Sequence, residues 1–280
     1  MWKAWVALVL VGGALPAEVQ PVGMSPLEGT KLVVIGDNSI LTVLDEQTGI
    51  VEQNKLQFPQ RPVDLAAGGG LAENLIFLAL RGSNTQLSPV VQCTPQGKEI
   101  RRWNTPYGYP SGIALDYPNK VLYITALQSG EIYRVDLNAK GGGSVQYLTE
   151  VPGASRLGAL AVDTAGGRLL VAEPFSGTIY EFSLTTRKSA VLVRDLGQPS
   201  ALAIGRGGKV LYIADETHKC VWAVRLDANP PKASQFWSSK DFRDPVALAV
   251  DSRETIWVGD RAAKAVFRRT SDGHEISPVR

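Results

Sequence analysis

Apolar residues fall along this chain in short runs cut by Gly, Pro, Asn and Asp, and one seven-residue pattern recurs. It reads Pro21–Leu27 (PVGMSPL), Pro62–Gly68 (PVDLAAG), Pro110–Asp116 (PSGIALD), Leu157–Asp163 (LGALAVD), Pro199–Gly205 (PSALAIG) and Pro245–Asp251 (PVALAVD). Its fourth position is large (Met24, Leu65, Ile113, Leu160, Leu202, Leu248) and its fifth small (Ser25, Ala66, Ala114, Ala161, Ala203, Ala249). That alternation has period two, which predicts a strand with one slim face. A few residues on, each copy is followed by a more apolar run: Leu32–Asp37, Leu75–Leu80, Val121–Ala126, Leu169–Glu173, Val210–Asp215 and Ile256–Asp260. Near-continuous apolarity predicts a central strand buried on both faces. A third, alternating segment follows, as in Glu131–Asp136, Thr178–Phe182 and Cys220–Val224, and a more polar fourth closes each unit.

Copies end at 27, 68, 116, 163, 205 and 251, so the period is 41 to 48 residues. Four strands at that spacing, six times over, predict an all-β, six-bladed β-propeller with four antiparallel strands per blade. Blades converge at a propeller's axis, so the innermost strand must carry small side chains on one face. Its edge position also tolerates the opening proline, whose missing N–H needs no ladder partner there. Ile276–Val279 is expected as the last strand of blade six. For ring closure two arrangements stay open: Glu18 and Val19 add to the last blade, or the first and last blades close by side-chain packing.

Composition agrees with one propeller over residues 18–280, with blades starting near 21, 62, 110, 157, 199 and 245. Hydrophobic residues make up 44% and charged residues 20%, which excludes a disordered chain. The 29 Lys and Arg against 27 Asp and Glu leave a net charge of +2, which gives no nucleic-acid footprint. Residues 1–17 read as an export signal: Lys3 supplies the positive end, Ala4 to Leu15 the apolar stretch, and Leu15-Pro16-Ala17 the small-residue cleavage context. The apolar stretch is too short to span a bilayer. The expected location is secreted or periplasmic, with no stable membrane insertion after cleavage.

The phrases Ser200–Ile204 (SALAI), Leu211–Asp215 (LYIAD) and Val221–Val224 (VWAV) resemble NHL and YWTD repeats. That six-bladed propeller superfamily also holds gluconolactonase and strictosidine-synthase-like enzymes. The resemblance covers essentially the whole mature chain. It implies architecture more than function, because the superfold hosts both enzymes and binding modules.

Function is expected where the inner strands begin, around the mouth of the central channel. The residues just before the six phrases, Gln20, Arg61, Tyr109, Arg156, Gln198 and Asp244, are polar or aromatic in every copy and form the candidate ligand-binding ring. A candidate rim of Asp37, Arg81, Glu173, Asp215 and Asp260 lies at the ends of the second strands on the same face. Arg61, Tyr109, Arg156 and Arg81 fall on blades two to four and the carboxylates on blades four, five, six and one, so a polarised face is expected. Tyr107 and the loop from Arg81 to Pro89 add contact surface. A competing reading gives the strand-end carboxylates a local role, accepting backbone N–H groups in their own turns.

The resemblance implies a divalent cation at the mouth of the lactonase-like relatives, held partly by an Asn at the second phrase position. Here that position reads Val22, Val63, Ser111, Gly158, Ser200 and Val246, with no Asn. A hard cation needs about six to eight oxygen ligands, so no metal and no cofactor are expected. Only two histidines occur, His218 and His274, too few for a multi-histidine site. Cys93 and Cys220 fall on blades two and five, opposite each other in a six-fold ring, and are too far apart to pair.

The leading expectation is an exported, non-catalytic binding module whose channel-mouth face takes a peptide, protein or extended ligand. The alternative is a gluconolactonase- or paraoxonase-like metal-dependent hydrolase or lyase with replaced ligands.

Overall fold

A computed structural model describes residues 20–27, 31–45, 49–69, 73, 75–82, 88–105, 109–205 and 207–279. The export segment, Glu18, Val19, Tyr107 and most of the loop between Arg81 and Pro89 lie outside the described residues.

Among the described residues, twenty-four strands fall into six four-stranded antiparallel sheets, each built from one contiguous stretch of chain. Blade one is β1 (Pro21–Pro26), β2 (Lys31–Gly36), β3 (Ile40–Asp45) and β4 (Gly49–Lys55). Blade two is β5 (Arg61–Ala67), β6 (Ile76–Arg81), β7 (Pro89–Cys93) and β8 (Glu99–Asn104). Blade three is β9 (Pro110–Asp116), β10 (Val121–Ala126), β11 (Glu131–Asp136) and β12 (Gln146–Glu150). Blade four is β13 (Leu160–Asp163), β14 (Arg168–Glu173), β15 (Thr178–Ser183) and β16 (Ser189–Val193). Blade five is β17 (Pro199–Ile204), β18 (Val210–Asp215), β19 (Cys220–Arg225) and β20 (Ala233–Ser238). Blade six is β21 (Pro245–Val250), β22 (Thr255–Asp260), β23 (Ala265–Thr270) and β24 (Glu275–Val279). The protein is therefore a six-bladed β-propeller, with each recurring phrase as an inner strand.

Packing between blades follows from the alternation. In blade six the buried Leu248 and Val250 of β21 pack with Ala201, Ala203 and Tyr212 of blade five, while Ala247 and Ala249 pack with Met24, Leu32 and Val34 of blade one. The third phrase position is small because the next blade is close: a Cβ at Gly112 would lie 2.4 Å from the carbonyl oxygen of Gly158. At Gly23 it would lie 2.6 Å from the backbone nitrogen of Leu65.

Polar stitches complete the joints. Ser25 Oγ accepts the N–H of Ala67 (2.9 Å), Ser111 Oγ donates to the carbonyl of Leu157 (2.6 Å), and Ser200 Oγ donates to that of Pro245 (2.7 Å). Between blades two and three the stitch is a carboxyl: Asp64 accepts the N–H of Ile113 (2.9 Å).

Blades one and six meet by side-chain packing; the alternative closure through Glu18 and Val19 lies outside the described residues. β24 pairs with β23 as the fourth strand of blade six, and Met24, Ile40 and Leu44 of blade one share a core cluster with Trp257 and Val266 of blade six. Cys93 and Cys220 are free and buried. Burial pushes both thiols up to about 12, so neither is a reactive thiolate at neutral pH.

Candidate functional site

The inner and second strands of blades one, two, three, five and six share one irregularity, a bulge between the first and third phrase positions. The bulge uses one residue without advancing the partner strand. Pro21 therefore faces Gly36, Pro62 faces Leu80, Pro199 faces Asp215 and Pro245 faces Asp260. One step nearer the mouth, the residue before the phrase meets the residue after that position. The N–H groups of Asp37, Leu127, Glu216 and Arg261 donate to the carbonyls of Gln20, Tyr109, Gln198 and Asp244, and Arg61 is paired with Arg81. These pairs make the lip of the mouth.

An open depression of about 590 Å³ lies within the lip, lined by Asp37, Arg61, Arg81, Glu216, Arg261 and the second-position residues Val22, Val63, Ser200 and Val246. A smaller hollow of about 190 Å³ adjoins it, sharing Arg81, Val63, Ser200 and Glu216 and adding Tyr109, Ser111, Pro174 and Gln198. Below both runs the central channel, about 220 Å³, walled by the inner strands.

Of the expected ring, Arg61, Tyr109 and Gln198 line these hollows, and so do Asp37 and Arg81 of the expected rim. Gln20, Arg156 and Asp244 do not border them. Gln20 is tied through its carbonyl to Asp37, and Asp244 accepts from Arg261 Nε at 2.7 Å. Arg156 stacks over Phe175, 4.6 Å from the ring centre, and Phe175 is 69% exposed. Arg81 likewise lies 4.9 Å from the Tyr109 ring centre.

Glu173, Asp215 and Asp260 face inward and are buried. Glu173 accepts the N–H of Ser155 (2.7 Å) and the Ser176 hydroxyl (2.7 Å). Asp215 accepts the N–H groups of Gly197, Gln198, Thr217 and His218, the Trp222 indole N–H (2.9 Å), and a contact from His218 Nδ1 (2.8 Å). Asp260 accepts the N–H groups of Arg243, Asp244 and Ala263. Burial opposes ionisation of Asp215 and Glu173, yet these donors hold both carboxyls below the usual carboxylate range. Their geometry is that of local acceptors tying the second strand to the loop that enters the inner strand.

Two lip residues stand where the sequence reading placed none, Glu216 and Arg261. A one-residue shift of register exchanges inward and outward faces, so they occupy the outward places that Asp215 and Asp260 were expected to fill. The lip charge is accordingly mixed: Arg261 of blade six stands beside the carboxylates, and Arg61 pairs with Asp37 at 3.3 Å. Burial and the Asp244 carboxylate raise the Glu216 carboxyl above its ordinary value, against the pull of Arg261.

The residues present do not fit the cation of the lactonase-like relatives. Both second-position hydroxyls, Ser111 and Ser200, donate to backbone carbonyls of the next blade. Among the described residues no three or more His, Cys, Asp or Glu side chains form a metal-holding group.

Comparison with known proteins agrees with this architecture. Residues 157–280 match the model of the SMP-30/Gluconolactonase/LRE-like region. No curated protein matches the chain. Among solved structures, a protein of unknown function from Bacteroides thetaiotaomicron VPI-5482 is 12% identical with a TM-score of 0.71, covering 89% of this chain and 69% of its own. A chain of a nidogen/laminin complex is 16% identical with a TM-score of 0.71, covering 89% and 93%. A streptogramin B lyase is 14% identical with a TM-score of 0.64, covering 96% and 85%. The chain thus has the fold of a six-bladed β-propeller, with the SMP-30/gluconolactonase-like match lying in its last three blades.

Proposed function

We infer that this protein is a non-catalytic binding module, exported as its first seventeen residues suggest, whose channel mouth takes an acidic segment of a peptide or protein. The observation that carries this reading is the depression of about 590 Å³ holding Arg61, Arg81 and Arg261 on three strand-end positions. Guanidinium groups recognise carboxylates bidentately and are weakly hydrated, so they suit an interface. Arg81 on Tyr109 and Arg156 on the exposed Phe175 supply the Arg-aromatic pairs that dominate protein interfaces. A propeller of similar fold takes part in a nidogen/laminin complex, which is a precedent at the level of the fold.

A second reading rests on the SMP-30/gluconolactonase-like match over residues 157–280, under which the protein is a hydrolase or lyase with replaced ligands. The second-position residues weigh against it. Binding of acidic, neutral and basic six-residue peptides to wild type and to Arg61→Glu/Arg81→Glu tests the leading reading. Acidic peptides are expected to bind and the double variant to lose at least tenfold. Equal binding of all three classes, or an unaltered double variant, contradicts it.

A further inference from the structure

Of the described residues lining the central channel, one is ionisable. The walls are Met24, Leu65, Ile113, Leu160, Leu202 and Leu248 with the intervening alanines and serines, and the exception is Asp64. It occupies the third phrase position, which elsewhere reads Gly23, Gly112, Ala159, Ala201 and Ala247. Val63, its neighbour, borders the mouth depression, so Asp64 sits about 3 Å further down the strand.

Asp64 accepts two backbone N–H groups, from Leu65 (2.8 Å) and Ile113 (2.9 Å). A carboxylate offers about four lone-pair sites, so both oxygens keep acceptor capacity. Accepting an N–H of the next blade does not require charge, since the neutral Ser25 hydroxyl accepts that of Ala67. A carboxyl here carries a desolvation cost that the serine avoids. Burial pushes it up to about 7 despite both hydrogen bonds.

We propose that the channel is a binding site for a primary ammonium group on an unbranched aliphatic stem, such as a lysine side chain of the bound partner, with Asp64 as its counter-ion. The aliphatic walls suit methylenes, and a single carboxyl suits a single point charge. A divalent cation would find one carboxylate where it needs about six to eight oxygens. This inference rests on the mouth reading for the source of the lysine, a basic residue flanked by the acidic positions that meet Arg61, Arg81 and Arg261. It also has a measurable consequence of its own. An ammonium partner favours the ionised carboxyl, so binding displaces a proton and strengthens as pH rises through 7. The strands packed on β5 bring no second titratable group into the channel: β1 has none, Arg81 of β6 and Arg61 of β5 stand at the mouth, and Lys31 of β2 and Asp116 of β9 lie at the opposite strand ends.

The probe is n-pentylammonium, titrated by calorimetry at pH 6 and pH 8 against wild type and Asp64→Ser, with n-pentanol and tetramethylammonium as comparisons. Asp64→Ser leaves a small neutral hydroxyl at the third position, and Asp64→Asn is the isosteric second variant. Expected are saturable binding at pH 8, at least fivefold weaker binding at pH 6, at least tenfold loss in whichever variant folds, and none for the two comparison compounds. Absence of saturable binding by wild type, binding that does not change between pH 6 and pH 8, or undiminished binding by a folded variant overturns the proposal. The probe carries no anion and makes no use of the lip arginines. Its failure alongside retained binding of acidic peptides therefore removes the channel site and leaves the mouth reading standing.

Discussion

Two aspartates, Asp215 fully buried and Asp64 half-buried in the channel wall, place opposite demands on pH. Asp215 is ionised well below the usual range, so it contributes stability that is present above the unfolded carboxylate value of about 4 and is lost as pH falls through its lower folded value. Asp64 is the reverse. With a folded value of about 7 against about 4 when unfolded, the folded state holds the extra proton, and stability is lost as pH rises from about 4 to 7. Chemical denaturation at pH 5 and pH 8 should show wild type losing stability relative to Asp64→Ser, on the order of 3 kcal/mol; a difference that stays level with pH contradicts this assignment. Replacing Asp215 by Asn turns one acceptor oxygen into a donor among N–H groups. The expected cost is about 2–4 kcal/mol, read as a fall in Tm.

At the scale of the element, the inner strand reconciles close packing with polar joints. Gly112→Ala should lower stability by about 1–3 kcal/mol, because the added methyl meets the backbone of Gly158, which cannot swing aside. A Tm equal to wild type would mean that the blades have room to separate. The strands themselves were legible in the sequence, since each is marked by an alternation or an unbroken apolar run. The lip was legible only in part. Arg61, Tyr109 and Gln198 directly precede a recognisable phrase, whereas Glu216 and Arg261 depend on a bulge that leaves no hydrophobic signal and moves the register by one place. The inner strand of blade four, Leu160–Asp163, is shorter than its phrase. Its first position is Leu157, whose N–H donates to Ser129 in the preceding blade. Asp64 leaves no mark in the sequence pattern because its carboxyl interrupts no alternation; its isolation shows only once six third positions meet around one axis.

For the whole molecule, six separate sheets are held in a ring by side-chain packing. Among the described residues, each blade is built from its own contiguous stretch of chain. The joint between blades one and six then rests on Met24, Leu32, Ile40 and Leu44 against Trp257 and Val266. Trp257 is buried and its indole N–H donates to Asp251 at 2.8 Å. Trp257→Ala should destabilise by about 3–5 kcal/mol, and blades one and six should be the first to exchange amide hydrogens in that variant. A ring of this kind presents a rigid lip on turns that packing does not constrain, which is where binding residues gather.

A binding face at the channel mouth requires that ligand contact the lip turns. Hydrogen exchange with and without a saturating acidic peptide tests it most directly. Protection is expected at the mouth turns around Asp37, Arg81, Leu127, Glu216 and Arg261, with the outer strands β8, β12, β16 and β20 unchanged. Protection confined to those outer strands, or to the turns at the opposite face, would contradict it.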